Sequence, residues 1–153
     1  MLIQIKSREQ IEAMHFDEGT ALISITDAEY DFAELISKPD YILQIAFDDV
    51  DNDVMIDELG REPTEDERKR IEAKYHMLTD EQAKQIAEFY ASVCDKAETL
   101  ICQCEHGQSR SAAIAAAVLE YRHGNGIKVF ASDRYYPNKV VFRKVLSQLK
   151  TAK

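Results

Sequence analysis

"TLICQCEHGQSRSAAIAAAVLEY", residues 99–121, decides how this chain is read. An apolar run ends in Cys104, and a short polar loop follows with one glycine, Gly107, and one arginine, Arg110. Then comes a stretch so rich in alanine that, as a helix, it is apolar on every side and must be buried. A parallel strand entering a helix through a glycine-containing turn makes an anion site. The turn's N–H groups point inward and the helix dipole adds positive charge. The same surroundings stabilise a thiolate, so a cysteine placed there becomes a nucleophile. Arg110 supplies a planar fork matched to two oxygens of a phosphate. Gly107 permits a backbone conformation that a side chain would forbid. Ser111 can turn its hydroxyl toward the sulfur.

Outward from this loop, strand-length apolar runs alternate with helical patterns. "LIQIK" (2–6), "TALISIT" (20–26), "YILQIAF" (41–47) and "TLICQC" (99–104) read as strands. Ser7 and Gln10 have capping-box spacing and open a short helix after the first strand. Asp27 is expected to cap a short helix after the second. Thr64 with Glu67 and Thr79 with Gln82 repeat the spacing, so two helices are expected in the long connection before the fourth strand. The first, 64–77, is heavily charged; the second, near 80–96, carries an apolar face of Ala83, Ile86, Ala87, Phe89, Tyr90 and Val93, with Cys94 expected to be buried. The alanine-rich helix should run from about Ser109 to His123 and stop at "HGNG". Pro137 and Asn138 open a last amphipathic helix. The pattern predicts an α/β fold with a central, mostly parallel sheet of four to five strands and helices on both faces. The chain, 1–153, reads as a single domain with a charged helical insertion near 54–78.

Composition supports an ordered globular protein, with 45% apolar and 31% charged residues. No apolar run approaches the length of a membrane span, and no membrane partner is expected. The N-terminus turns charged at Lys6, unlike a signal peptide. Three cysteines without an export signal imply reduced thiols and a cytoplasmic location. The net charge of −9 is uneven: residues 1–120 hold 11 Lys/Arg against 27 Asp/Glu, residues 121–153 hold 8 against 1. The basic tail reads first as a solvated face and second as an attraction toward an anionic partner. The chain as a whole is acidic and shows no groove-reading motif, so nucleic acid is not an expected partner.

Cys104, Gly107, Arg110 and Ser111 form C-x-x-G-x-x-R-S, which resembles the signature loop of cysteine-dependent protein tyrosine phosphatases. "CEHGQSRSAA" looks most like the dual-specificity branch and its small prokaryotic relatives. "ALISITD", "LQIAFDDV" and "YPNKVVFRKVL" resemble the preceding strands and the closing helix of those proteins. The likeness is tight at 99–119 and loose over the rest of 20–150. It implies a phosphatase-type fold and a two-step displacement through a phosphocysteine on Cys104. Arg110 and the loop Glu105, His106, Gly107, Gln108 and Ser109 would hold the phosphate, and Ser111 would steady the sulfur. A carboxylic acid would protonate the leaving oxygen and later activate water. By register after "YILQIAF" that acid is Asp49, with Asp48 second and Asp51 third. No metal or cofactor is required.

Two features depart from the family pattern. Asp49 stands 55 residues before Cys104, a long interval whose surplus is the 64–77 helix, a lid or a decoration. Gln103 occupies the place of a histidine that orders the loop. Neighbouring residues admit plainer readings. Cys102 is expected in the core, or else as a resolving thiol for Cys104. His106 and Glu105 either tune the site or simply face solvent. Cys102, Cys104 and His106 lack the spacing and second ligand pair of a zinc site, and "DVDND" (49–53) lacks the glycine and glutamate of a calcium loop. The expected activity is hydrolysis of a phosphate monoester, with phosphotyrosine in a protein or a small phosphate ester as substrate. The rivals are a phosphate-binding module without turnover, and a thiol-based arsenate reductase or sulfur transferase.

Overall fold

The computed structural model describes residues 1–151. Four strands form one sheet, β1 (Leu2–Ser7), β2 (Thr20–Thr26), β3 (Tyr41–Ala46) and β4 (Thr99–Cys104), in the order β1-β4-β2-β3. Every pair is parallel, with Leu2 opposite Thr99 and Ala21 opposite both Leu100 and Tyr41. β4 lies between two partners and is buried along nearly its whole length, which explains why it reads as a continuous apolar run. The side-chain alternation of the two inner strands divides the core. Ala21, Ile23, Ile25, Leu100, Cys102 and Cys104 face one side; Leu22 and Ile101 face the other.

The first side is covered by α4 (Asp80–Val93), α5 (Arg110–His123) and α7 (Lys139–Thr151). α5 is buried from Arg110 to Val118 because β1, β4, α7 and the short segment Ile127–Ala131 surround it, and its alanines let those neighbours approach. It ends at Gly124 in the left-handed conformation, as its sequence requires. The second side is covered by α1 (Arg8–Glu12) and the crossover 27–40, through Ile11 and Ala33. Capping boxes at Ser7, Thr64 and Thr79 all form.

The structure corrects several details of the sequence reading. The connection before β4 holds three helices, α2 (Asp53–Leu59), α3 (Glu65–Lys74) and α4. α2 and α3 share a small core of Met55, Ile71 and Met77 that docks on Val140 of α7. A short α6 (Ile127–Ala131) packs Val129 against Ala112 and Ala116 of α5. Asp27 caps no helix, because the crossover 27–40 contains none. Cys94 is half-buried at the C-cap of α4 rather than enclosed. The basic side chains of 121–151 are mostly exposed, but Lys144 turns inward to Glu72 of α3 at 2.8 Å and to the carbonyl of Leu78 at 2.9 Å. Among the described residues no helix is long and apolar enough to cross a membrane.

Candidate active site

β4 delivers Cys104 to the carboxyl end of the sheet, where it is 2% exposed. Its Sγ lies 3.1 Å from the hydroxyl of Ser111, the second residue of α5. Between them the chain makes a tight loop with Gly107 at φ +67°. A Cβ at that position would sit 2.8 Å from the carbonyl carbon of Lys6 and from the Ser7 nitrogen. Gly107 is therefore required twice, by its dihedral and by the backbone of β1 pressed against it.

The loop turns its carbonyls outward. Those of Glu105, Gln108 and Ser109 accept from the N–H groups of Arg8, Tyr136 and Asn138 at 3.1, 2.8 and 3.2 Å. The N–H groups of His106, Gly107, Gln108 and Ser109 have no acceptor among the described residues. A run of unpartnered donors at a helix N-terminus is the geometry of an anion cradle. The Glu105, His106 and Gln108 side chains are exposed, so these residues border the site through their backbone.

Arg110 is 5% exposed, an unusual burial for a guanidinium. One terminal nitrogen donates to Asp27 Oδ1 at 2.6 Å and to the carbonyl of Phe47 at 2.7 Å. Its Nε is buried without a hydrogen-bond partner among the described residues. Burying a cation with an unsatisfied donor is costly unless an acceptor arrives there. Asp27 was missed as a site residue in the sequence, where it has only the look of a helix cap. No local signal could reveal it, because its partner is 83 positions away.

The three candidate acids separate clearly. Asp49 Oδ1 accepts from the Ser109 hydroxyl at 2.8 Å and from Asn138 Nδ2 at 2.9 Å, so it is fastened to the loop itself. Asp48 is turned away to the Ala28 N–H at 2.9 Å. Asp51 accepts from the adjacent Asn52 N–H. Asn138, buried at the head of α7, also caps that helix through the Val141 N–H and holds the carbonyl of Val50. The α3–α4 junction reaches the same segment through the His76 carbonyl, which accepts from the Asp48 N–H at 2.8 Å.

The fold resembles that in the crystal structure of PTPMT1 in complex with PI(5)P. The TM-score is 0.53 at 11% identity, over 98% of this chain and 91% of that one. PTPMT1 is a dual-specificity-like member of the protein tyrosine phosphatase family. This chain has a phosphatase-type fold. A second crystal structure of PTPMT1 gives a TM-score of 0.46 at 14% identity, over 98% and 90% of the two chains. No protein-family model and no curated protein matches the sequence.

Gln103 fills its buried position with a network of its own. Its Oε1 accepts from the Ser24 hydroxyl at 2.5 Å, and its Nε2 donates to the carbonyl of Cys104 at 3.0 Å. The amide therefore braces the Cys104 backbone from the face of the sheet opposite α5. Cys102 lies in the main core between the sheet and its helices. Burial, and then the neighbouring Cys104, push its thiol well above the ordinary range.

Proposed function

We propose that this protein hydrolyses phosphate monoesters through a phosphocysteine formed on Cys104. The observation that carries the reading is the buried Arg110 with its unpartnered Nε, beside a loop whose N–H groups lack acceptors. A tetrahedral phosphate dianion satisfies both at once. In the first step the Cys104 thiolate attacks phosphorus as the ester P–O bond breaks. The leaving oxygen takes a proton from Asp49. Because Oδ1 of Asp49 already accepts two hydrogen bonds, that proton resides on Oδ2. In the second step water attacks phosphorus, Asp49 takes its proton, and the P–S bond breaks. The Ser111 hydroxyl, 3.1 Å from Sγ, donates to the departing thiolate. Arg110 and the loop amides hold the equatorial oxygens, where transition-state charge is spread.

The substrate we favour is phosphotyrosine in a protein, or a small phosphate monoester. The PTPMT1 complex with PI(5)P supports the second class. The free, mainly buried cysteines suit a reducing, cytoplasmic setting. The test is release of p-nitrophenol from p-nitrophenyl phosphate near neutral pH, with a thiol reductant and no added metal. Cys104→Ser should abolish release while retaining inorganic phosphate binding. Arg110→Lys should lose both, because an ammonium cannot reproduce the fork. Folded, reduced wild type that binds phosphate without releasing product would favour the binding module instead. Thiol-dependent reduction of arsenate without phosphatase activity would favour the reductase.

A further inference from the structure

Asp27 stands at the first position of a crossover, 27–40, with no regular secondary structure. Yet its carboxylate lies 2.6 Å from the buried Arg110 guanidinium. Something outside the crossover must fix it. The turn itself is closed by the Tyr30 N–H on the Asp27 carbonyl at 3.1 Å, with Glu29 at φ +72°. Asp48 holds one flank through the Ala28 N–H. The other flank is held from α1. Arg8 donates one terminal nitrogen to the Asp31 carbonyl at 2.9 Å and the other to the Phe32 carbonyl at 3.1 Å. Glu12, one turn on, accepts from the Glu34 N–H at 2.9 Å.

Arg8 also touches the phosphate loop. Its backbone N–H donates to the Glu105 carbonyl at 3.1 Å, and its guanidinium lies 3.7 Å from the Glu105 carboxylate. One residue thus joins the first residue after the cysteine to the turn that carries the arginine's counter-ion.

We propose that Arg8 is a positioning residue for the anion site, acting through the 27–32 turn to hold Asp27 against Arg110. This rests on reading the Cys104 loop as a phosphate-ester site. The planar fork is what the role needs, because it spans two successive carbonyls. A lysine would keep a positive charge near Glu12 and Glu105 but could not bridge both acceptors. A residue that merely stiffened the crossover would lower stability without changing how Arg110 meets an anion.

The experiment compares wild type, Arg8→Lys, Asp27→Asn and the double variant, with inorganic phosphate as the probe in calorimetric titration. Each single variant should bind phosphate about tenfold more weakly, equivalent to about 1.4 kcal/mol. The double variant should be no weaker than Asp27→Asn alone, because both act on one contact. Arg8→Lys should also speed amide exchange at Tyr30 while leaving α4 and α5 protected, and should shift the Arg110 Nε–H resonance. Additive losses in the double variant would overturn the proposal. So would wild-type phosphate affinity in Arg8→Lys, or an unmoved Arg110 resonance. If wild type binds no phosphate, the reading of the site fails instead. The Tyr30 and Arg110 signals then still decide whether Arg8 holds the turn.

Discussion

Gly107→Ala isolates the contact between the Cys104–Ser111 loop and β1. The glycine is at φ +67°, and an added Cβ would meet the Lys6 carbonyl carbon and Ser7 nitrogen at 2.8 Å and the Lys6 oxygen at 2.9 Å. These are backbone atoms of a paired strand, so no rotamer change can yield. Comfortable contact between such atoms needs about 3.5 Å, so the loop must retreat by roughly 0.7 Å. The left-handed conformation costs about 1–2 kcal/mol for alanine, and overpacking adds about 1–3 kcal/mol. A displacement approaching 1 Å in a catalytic loop costs about a hundredfold in kcat/KM, or about 2.7 kcal/mol of transition-state stabilisation. Gly60→Ala is the control. It shares φ +67° but has nothing within 4 Å of the new Cβ. It should lose about 1 kcal/mol, a Tm change of about 2–4 °C, with p-nitrophenyl phosphate turnover unchanged. Gly107→Ala should lose two to three times as much stability and nearly all turnover. If the two variants behave alike in thermal melts and in kcat/KM, the argument from close approach is wrong.

Asp49→Asn should depress kcat/KM by about 10²–10⁴-fold with phenyl phosphate and far less with p-nitrophenyl phosphate, whose leaving group needs little protonation. Equal losses would remove Asp49 from the acid role. Asn138→Ala removes the α7 cap and the amide that holds Asp49, so it should cost about 2–3 kcal/mol in denaturant melts and lower turnover as well. Full stability in that variant would show that water replaces both bonds. Glu67 is held down to about 2 from its ordinary 4.5, first by Arg61 and then by the Thr64 backbone N–H. Its folded value is depressed, so its contribution is complete above 4.5 and fades as the pH falls toward about 2. Amide exchange in α3 should quicken across that window, and Glu67→Gln should flatten the change. Exchange in α3 that ignores pH over the window would argue against the cap.

What could be read from the sequence was what local chemistry encodes. β2 and β4 are buried on both faces, so they stand out as apolar runs. The capping boxes at Ser7, Thr64 and Thr79 use residues three apart and form as expected. The Cys104–Ser111 loop is likewise contiguous, which is why its members were found together. α2 was hidden because "DVMIDEL" continues an acidic run, its N-cap Asn52 makes no side-chain cap bond, and the buried residues that share a core with Met55 lie in α3, the α3–α4 turn and α7. Asp27 and Arg8 were hidden for the same reason in sharper form. Their partners lie 83 and 23 or 24 positions away, and each is a polar residue beside a strand end, where caps and solvent offer simpler uses. Asn138 showed itself only as a helix start. Its second function, gripping Asp49 across 89 residues, belongs to the tertiary fold.

The strand order has a consequence for how the chain assembles. β1 pairs with β4 alone, and the first residues of the two strands are Leu2 and Thr99. A growing polypeptide can build β2 on β3, and the capped helices α3 and α4 can form locally. β1 must wait for nearly a hundred residues of synthesis before a neighbour exists. Until then its edge and the β4-side edge of β2 stay unpaired, the kind of apolar edge that chaperones hold and that aggregates recruit. β4 then closes the sheet in one step, inserting between both partners, with the slow kinetics of non-local pairing. The loop that follows Cys104 cannot take shape earlier, because its floor is Lys6 and Ser7. Activity recovered after denaturation should therefore track the docking of the chain's first strand.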